Sequence, residues 1–234
     1  MSAGRGRQMV LDLPHRTARG REDFLVTASN RAAVGMIDRY PEWPSYAMVI
    51  AGPAGSGKTH LLEVWREASG AALTAASGVT EAAVPGLMAT GALAIDEARG
   101  DGLDERGLFH LLNYARQTGG HVLVAAATPP VSWVIRIPDL ASRLKALPVA
   151  ELGPPDDELL RGVLIKLFGD RQLAVDAGVI SYLLVRMPRS LEAARALVAA
   201  IDRQALEDKA EITRAFVGRI LQGFEAPELF ASDD

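Results

Sequence analysis

Cysteine is absent from the chain, and histidine occurs only four times in 234 residues. Without thiols the chain can form neither disulfide bonds nor thiolate metal sites, which agrees with a reducing compartment. The histidines are scattered, and no two of them have the spacing of metal ligands. The sequence therefore excludes a disulfide scaffold and gives little support to a bound transition metal.

Long apolar runs and an excess of positive charge are also missing. No uncharged apolar run approaches the roughly 18 to 20 residues that a membrane-spanning helix needs, and the basic residues 1–7 lead into no apolar signal-peptide core before His15 and Arg16. We therefore expect a cytoplasmic protein without membrane contact. Because the formal net charge is -4, we expect no broad basic surface for DNA phosphates, so direct DNA contact should be weak or indirect.

The first two thirds of the chain alternate between apolar runs and helical patterns. A helical pattern starts at Ser29, where Ser29 or Asn30 can cap the first turn, and Pro41 ends it. Buried strands and further helices are then predicted in alternation, at residues 46–51 (strand), 58–68 (helix), 93–95 (strand), 105–117 (helix) and 121–126 (strand). This order predicts a parallel sheet flanked by helices, which binds its ligand beyond the carboxyl ends of the strands.

After Pro154 and Pro155 the pattern becomes helical. Helices are predicted at residues 156–168, 176–186, 189–208 and 213–223. Asp176 and Thr213 are suitable caps for two of them. We expect four parts: a flexible leader (1–22), an α/β nucleotide-binding domain (23–153), a small helical lid domain (154–224) and an acidic tail (225–234).

A phosphate-binding loop follows the first predicted strand and precedes a predicted helix. Its residues match G-x-x-x-x-G-K-[ST] in full: Gly52, Pro53, Ala54, Gly55, Ser56, Gly57, Lys58 and Thr59. The glycines let consecutive backbone N–H groups face phosphate oxygens, while Lys58 neutralises the β- and γ-phosphates and Thr59 offers its hydroxyl to Mg²⁺. The loop predicts binding of ADP or ATP with Mg²⁺.

An acidic pair ends the second predicted strand. Asp96 is placed to hold Mg²⁺ directly or through water, and Glu97 to orient and polarise an attacking water. Alternatively, the acidic pair is part of an ordinary solvated turn without a functional role. The phosphate loop upstream favours the functional interpretation, more firmly for Asp96 than for Glu97.

Two arginines stand out among the 25 basic residues. Arg143 lies in the stretch Ser-Arg-Leu, and Arg189 follows Pro188 at the start of a predicted lid helix. An arginine fork can bind phosphate oxygens bidentately. Composition alone favours the alternative that both are solvated surface residues.

Several stretches together resemble the AAA+ domain of the bacterial replication initiator DnaA. They are Phe24-Leu25-Val26, Ser29-Asn30-Arg31, Gly57-Lys58-Thr59-His60-Leu61-Leu62, Pro129-Pro130 and Ser142-Arg143-Leu144. The resemblance covers about residues 22 to 222. It implies an AAA+ P-loop NTPase domain followed by a helical lid, with His60 among the nucleotide-binding residues.

Within this family the chain looks like the short, Hda-type homologues that promote regulatory inactivation of the initiator. It ends soon after the lid, where the initiator continues into a DNA-binding domain. In the leader, Gln8, Leu11 and Leu13 resemble the Q-x-x-L-x-L peptide that docks on the replicative sliding clamp. Such a peptide buries its two leucines in an apolar pocket while the glutamine amide hydrogen-bonds at the rim. The motif alone is common by chance.

The resemblance implies roles for the two arginines and for one sensor residue. Arg143 corresponds to the finger that acts in trans on nucleotide held by a neighbour, and Arg189 to the lid arginine that senses nucleotide in cis. Where the initiator has a polar Ser-Asp pair before its Pro-Pro, this chain has alanines and only Thr128 as a sensor. We therefore expect at most weak intrinsic ATP hydrolysis and an activating role toward a partner ATPase.

The resemblance implies a negative regulator of replication initiation. Bound to ADP or ATP and to the DNA-loaded clamp, it would stimulate hydrolysis by DnaA and leave the initiator in its ADP form, near the nucleoid. Two alternatives stay open: a self-sufficient ATPase that remodels a protein or DNA partner, which Glu97 permits, and a DNA-binding factor that the clamp peptide merely localises. The sequence leaves homo-oligomerisation open.

Overall fold

The computed structural model describes residues 24–98 and 102–224. Its strands are β1 (Ala47–Ala51), β2 (Ala72–Ala75), β3 (Ala92–Ala98), β4 (His121–Ala126) and β5 (Val149–Glu151). They form one sheet in the order β2-β3-β4-β1-β5, and every pairing is parallel. The carboxyl ends of β1, β3 and β4 therefore lie along one edge of the sheet, as the sequence predicts for a ligand site.

Helices cover the sheet and then form a lid. The first group is α1 (Arg31–Ile37), α2 (Lys58–Ser69), α3 (Val84–Leu87), α4 (Glu105–Thr118) and α5 (Pro138–Lys145). The lid contains α6 (Asp157–Asp170), α7 (Ala177–Arg186), α8 (Leu191–Asp208) and α9 (Arg214–Phe224). The predicted fold class, a parallel α/β sheet flanked by helices and followed by a helical lid, is confirmed.

The central strands are apolar throughout because both faces of the sheet are covered. In β1, Ala47 and Val49 pack into one core cluster, whereas Met48 and Ile50 pack into a second cluster on the opposite face. All four side chains are at most 1% exposed. Full burial of each larger side chain stabilises the fold by roughly 1.5 to 3 kcal/mol. Because both faces of the strand are buried, β1 is a continuous apolar run and does not alternate between apolar and polar residues.

The lid has its own apolar core, to which each of α6, α7 and α8 contributes. These helices begin at residues whose side chains accept hydrogen bonds from the first turn: Asp156, Asp176 and Ser190. The predicted cap at Asp176 is confirmed, since its carboxylate accepts from the N–H of Val179 at 2.7 Å. Thr213 likewise accepts from the N–H of Phe216 at 3.2 Å.

The structure departs from the predicted elements near the N-terminal helix. Asn30 is the N-cap residue of α1, one of the two residues predicted for this position, but its side chain makes no capping hydrogen bond, and the helix stops at Ile37 before Pro41 is reached. The amide of Asn30 instead donates to the carbonyl of Leu25 at 2.9 Å. Among the described residues, no helix is both long and apolar enough to cross a membrane.

Candidate nucleotide-binding site

The phosphate loop leaves the carboxyl end of β1 and ends in the first turn of α2. Gly55 and Gly57 have φ angles of 70° and 98°, in the left-handed region that glycine adopts without strain. Gly57 is the N-cap of α2, so the free N–H groups of the helix start are directed toward the loop. A loop of this shape forms an anion-binding site from backbone dipoles alone.

Gly55 also has no room for a side chain. A Cβ atom at this position would lie 2.0 Å from Oγ of Ser190, the cap of α8. The carbonyl of Gly55 accepts a hydrogen bond from the N–H of Leu191 at 2.9 Å. The phosphate loop is therefore fastened to the start of a lid helix at a residue that must be glycine.

Replacing Gly55 with Ala should lower the free energy of unfolding more than replacing Gly70 with Ala. Gly70 has nearly the same φ angle, 68°, but nothing lies within 4 Å of an added Cβ. Its substitution should cost only the left-handed backbone penalty, about 1 to 2 kcal/mol. Gly55→Ala should cost about 1 to 3 kcal/mol more, because Ser190 must move. Urea unfolding of both variants checks this, and equal losses would contradict the packing argument.

Lys58 is the first residue of α2, and its ammonium group lies beside the start of the loop. Nζ donates to the carbonyl oxygens of Gly52 and Pro53 at 2.7 Å each. Burial lowers the pKa of Lys58, while the nearby carboxylate of Asp96 opposes this change and favours the charged form. The structure thus places Asp96 within electrostatic range of Lys58, although β1 and β3 are separated by β4 in the sheet.

Asp96 and Glu97 lie inside β3, not after it. The register between β3 and β4 shifts between Ile95 and Ala98, and Glu97 in this bulge has a left-handed φ of 57°. The N–H of Glu97 donates to Oδ1 of Asp96 at 2.8 Å. The bulge leaves Asp96 half-buried and Glu97 exposed at the ligand edge of the sheet.

The residues proposed for Mg²⁺ suit an ion held partly by phosphate. Asp96 supplies one carboxylate near Lys58, and Thr59 presents an exposed side chain in the first turn of α2. In the described part of the chain, no group of three or more acidic, His or Cys side chains forms a metal cage. Mg²⁺ in nucleotide sites is usually bound by one or two protein oxygens, phosphates and water, so this donor set is sufficient.

A shallow, open cleft lies beside His60, the residue that directly follows the phosphate loop. Apolar side chains from residues 24–30, α6 and α8 form much of its wall: Phe24, Leu25, Leu159, Val163, Leu167 and Leu191. His60, directly after Thr59, also lines the cleft, with its ring 5.0 Å from that of Phe24. The charged side chains Lys166, Asp170 and Arg195 also line the cleft, so its wall is partly apolar and partly charged.

Arg143 lies half-buried on α5 and is held by α4. Its Nη1 donates to Oδ1 of Asn113 at 2.7 Å, and its guanidinium carbon lies 5.0 Å from the ring centre of Phe109. At the start of α4, the carboxylate of Glu105 accepts from the N–H groups of Arg136 and Ile137 at 2.9 to 3.1 Å, just before α5. Helix α4 therefore fixes both the start of α5 and the arginine on it.

Arg189 lies between α7 and α8, immediately before the residues that contact Gly55. Its Nη2 forms an ion pair with Oδ1 of Asp157 at 2.7 Å, and both side chains are more than half exposed. An ion pair this exposed contributes little to stability. The side chain therefore lies on the lid surface, one residue from Ser190. Its guanidinium can leave Asp157 and bind another anion.

Thr128 follows β4 at the same edge of the sheet and is exposed. Its carbonyl accepts from Nε1 of Trp133 at 3.0 Å, which orders the loop toward α5. Ala125 and Ala126 are buried in the sheet. Thr128 is thus the polar side chain that β4 brings to this edge.

The proposed clamp-binding residues lie outside the described residues, together with the leader and the acidic tail. Sequence reasoning also missed part of the site. It assigned no site role to Leu191, Asn113 or Asp156, whose contacts join segments far apart in the chain. Of these, only Leu191 could have been found from the sequence, since it lies two residues after Arg189.

No protein-family model matches the chain. Domain III of the replication initiation protein DnaA from Thermotoga maritima has the same fold, with a TM-score of 0.73 and 18% identity over 92% of this chain and 100% of that chain. AMPPCP-bound DnaA from Aquifex aeolicus gives a TM-score of 0.63 and 20% identity over 80% of this chain and 65% of that one. The RuvB Holliday junction branch migration motor of Thermotoga maritima gives a TM-score of 0.62 and 18% identity over 82% and 65%.

The chain has the AAA+ fold seen in DnaA domain III and in RuvB. It spans the whole of the DnaA domain III structure but only 65% of the Aquifex DnaA and RuvB chains. In this AAA+ fold, the phosphate loop, the acidic pair of β3 and Thr128 all lie at one edge of the sheet.

Proposed function

We propose that this chain is an Hda-type regulator that binds adenine nucleotide and stimulates ATP hydrolysis by the initiator DnaA. The proposal is supported by the positions of two cationic side chains, Lys58 and Arg143, which are held by different parts of the chain. Lys58 is held by the phosphate loop, whereas Arg143 is held by α4 through Asn113 and Phe109. One cation serves the chain's own nucleotide and the other serves the nucleotide of a neighbour.

Adenine nucleotide is the ligand that suits the site. The loop N–H groups and Lys58 bind the phosphates, and the cleft lined by Phe24, Leu25 and Leu191 takes the base. AMPPCP is bound to a DnaA with the same fold, which supports this assignment. Bound Mg²⁺ would supply divalent charge at the phosphates, and Thr59 and Asp96 would be its protein ligands.

The chain's own hydrolysis should be weak. The polar sensor near the attacking water is reduced to Thr128, since Ala125 and Ala126 are apolar and buried. The nucleotide then acts mainly by ordering the loop and the lid, which are joined by the hydrogen bond between Gly55 and Leu191. The ADP-bound form would be competent to activate the partner.

Arg143 would complete the initiator's site in trans. Charge grows on the transferred phosphoryl group in the transition state, and a preorganised guanidinium stabilises that charge. The contacts with Asn113 and Phe109 restrict the side chain before the partner arrives, so less conformational entropy is lost on binding. The initiator is left in its inactive ADP form.

The leader would tether the regulator to the replicative sliding clamp, and thereby to the nucleoid in the cytoplasm. Replacing both Gln8 and Leu11 with Ala should abolish clamp binding, since it removes the rim hydrogen bond and one buried leucine. Nucleotide affinity should be unchanged, because the α/β domain and lid are intact. Co-migration of the variant with clamp on a sizing column would contradict the tether. Exchanging Met9 and Val10 for Ala is the matched control.

A self-sufficient remodelling ATPase is the second candidate. The exposed carboxylate of Glu97, next to Asp96 at the ligand edge, favours it. This candidate requires brisk ATP turnover by the chain alone, lost on Glu97→Gln. Steady-state phosphate release by the isolated protein separates the two functions, because the regulator should release phosphate only slowly with or without Glu97. Sedimentation with and without nucleotide would determine whether the chain forms homo-oligomers.

A further inference from the structure

Residues 24–30 join one apolar cluster of the sheet to the apolar cluster of the lid. Phe24 packs into the cluster that covers one face of the sheet, whereas Leu25 packs against the lid cluster. The same two side chains line the cleft beside His60. The position of this segment relative to the lid therefore sets the shape of the cleft.

A buried side-chain amide bridges the two ends of the segment. Asn30 is 3% exposed. Its Nδ2 donates to the carbonyl of Leu25 at 2.9 Å, and its Oδ1 accepts from the N–H of Thr27 at 2.9 Å. These two bonds close residues 25–30 into a compact turn.

One lid carboxylate holds this turn. Oδ2 of Asp156 accepts from Oγ1 of Thr27 at 3.0 Å and from the N–H of Ser29 at 3.1 Å. Its Oδ1 caps α6 by accepting from the N–H of Leu159 at 2.7 Å. The two oxygens thus have separate tasks, since one starts the lid helix and the other binds a segment 127 to 129 residues earlier in the chain.

The charge state of Asp156 agrees with this arrangement. Burial raises the pKa of Asp156, but the hydrogen bonds from Leu159, Thr27 and Ser29 outweigh it, and the net pKa is lowered. A lowered folded pKa means that the bonds stabilise the fold above the carboxylate's ordinary pKa. That stability is lost as the pH falls through the folded value.

We propose that Asp156 is a positioning residue for nucleotide binding, which it supports by fastening the turn at residues 25–30 to the lid. The proposal rests on the proposed nucleotide-binding function. Asp156 need not touch the ligand. It holds the wall formed by Phe24 and Leu25 at a fixed distance from the wall formed by Leu159 and Leu191.

The physical effect is preorganisation of the cleft. With the Thr27 and Ser29 bonds in place, the segment and the lid are ordered before the ligand arrives. Without them, the bound ligand must order both, and the free energy of that ordering is subtracted from binding. The bound complex opens more easily, so the change should be seen mainly in the dissociation rate.

Asp156→Asn is the informative substitution. An amide has one acceptor oxygen, so it cannot both cap α6 and accept from Thr27 and Ser29, whichever way it is turned. Asp176→Asn is the matched control, because Asp176 caps α7 through the N–H of Val179. Asn and Asp are about equally good caps, so the control leaves α7 capped and tests the charge change alone.

The experiment measures a fluorescent ADP analogue by stopped flow. Asp156→Asn should raise Kd about tenfold through faster dissociation, as expected for loss of a charge-assisted bond, whereas Asp176→Asn should stay within about twofold of wild type. Thr27→Val should give part of the effect. The double variant Asp156→Asn, Thr27→Val should be no weaker than Asp156→Asn alone, because both remove the same contact.

Amide hydrogen exchange on the ligand-free protein provides the second readout. Exchange at residues 25–30 should accelerate in Asp156→Asn and not in Asp176→Asn. Wild-type affinity in Asp156→Asn would overturn the proposal, as would an equal loss in both variants, which would indicate general destabilisation. Failure of the wild type itself to bind the analogue would instead refute the proposed nucleotide function, and the positioning role with it.

Discussion

Replacing Arg143 with Ala is expected to remove most of the stimulation that the wild-type protein gives to ATP hydrolysis by the initiator. A finger supplied in trans is worth roughly 10³ to 10⁵ in the rate of phosphoryl transfer. The loss should appear in the single-turnover rate of initiator-bound ATP, because the missing cation acts on the transition state and not on encounter.

The structure determines which controls this experiment needs. Arg143→Ala leaves Asn113, a half-buried residue, without its 2.7 Å partner, so some stability is lost and unfolding must be measured alongside. Lys145→Ala, two residues later on α5 and exposed, removes a positive charge without a described hydrogen bond. It should keep nearly all of the stimulation. ADP and clamp affinities should be unchanged in both variants.

Two outcomes would contradict the finger. One is full stimulation by Arg143→Ala. The other is an equal loss in Arg143→Ala and Lys145→Ala, which would reduce the effect to the general charge of α5. Arg143→Lys separates charge from geometry, because lysine keeps the charge but lacks the planar fork that binds two phosphate oxygens. We expect it to recover little of the rate.

Replacing Lys58 with Ala should weaken nucleotide binding on the order of 100-fold, through loss of charge-assisted bonds to the phosphates. The sheet should stay folded. The Lys58 ammonium is bonded to loop carbonyls of Gly52 and Pro53 and is no part of the apolar core. Equilibrium dialysis with labelled ADP measures the effect, with Lys145→Ala as the charge-matched control. Unchanged affinity of Lys58→Ala would refute the phosphate-loop assignment.

Because burial lowers the pKa of Lys58, the affinity for nucleotide has a predictable pH dependence. The charged ammonium is needed to bind phosphate, so binding weakens as the pH rises through the lowered value. The Asp96 carboxylate opposes this shift. In Asp96→Asn the decline should therefore begin at a lower pH, which equilibrium dialysis across a pH series would measure.

Local patterns predicted the parts of the fold whose neighbours are near in sequence. The phosphate loop could be predicted because β1, the loop and α2 are consecutive, and the glycines and Lys58 have fixed spacing. The long lid helices were predicted within a few residues for the same reason. Their caps at Asp176 and Thr213 act within one turn.

The short edge elements were not predictable from local pattern. Strand β2 is Ala-Leu-Thr-Ala and β5 has only three residues, so neither carries a strong strand preference. Both exist because they pair with β3 and β1, respectively. Helix α5 was missed although it bears Arg143, since its eight residues begin at Pro138 in a mixed segment.

The features of the site that the sequence did not predict depend on contacts between residues far apart in the chain. The bonds of Asp156 to Thr27 and Ser29 join residues 129 and 127 positions apart, and no local pattern specifies them. The amide of Asn30 has two partners in the preceding turn, which explains why its side chain makes no capping hydrogen bond to α1. The bulge at Glu97 depends on the register with β4, so a run of apolar residues ending in two acids does not reveal it.

We expect this chain to act on nucleotide that is held by another molecule. The most direct measurement is the rate of conversion of DnaA-bound ATP to ADP, with labelled ATP loaded on the initiator and excess unlabelled ADP in solution. We expect ADP-bound wild-type protein with DNA-loaded clamp to accelerate this conversion strongly, and the same protein without clamp to accelerate it weakly. An unchanged rate in the presence of this protein and DNA-loaded clamp, with brisk turnover of ATP by the isolated chain, would contradict action on the nucleotide of DnaA.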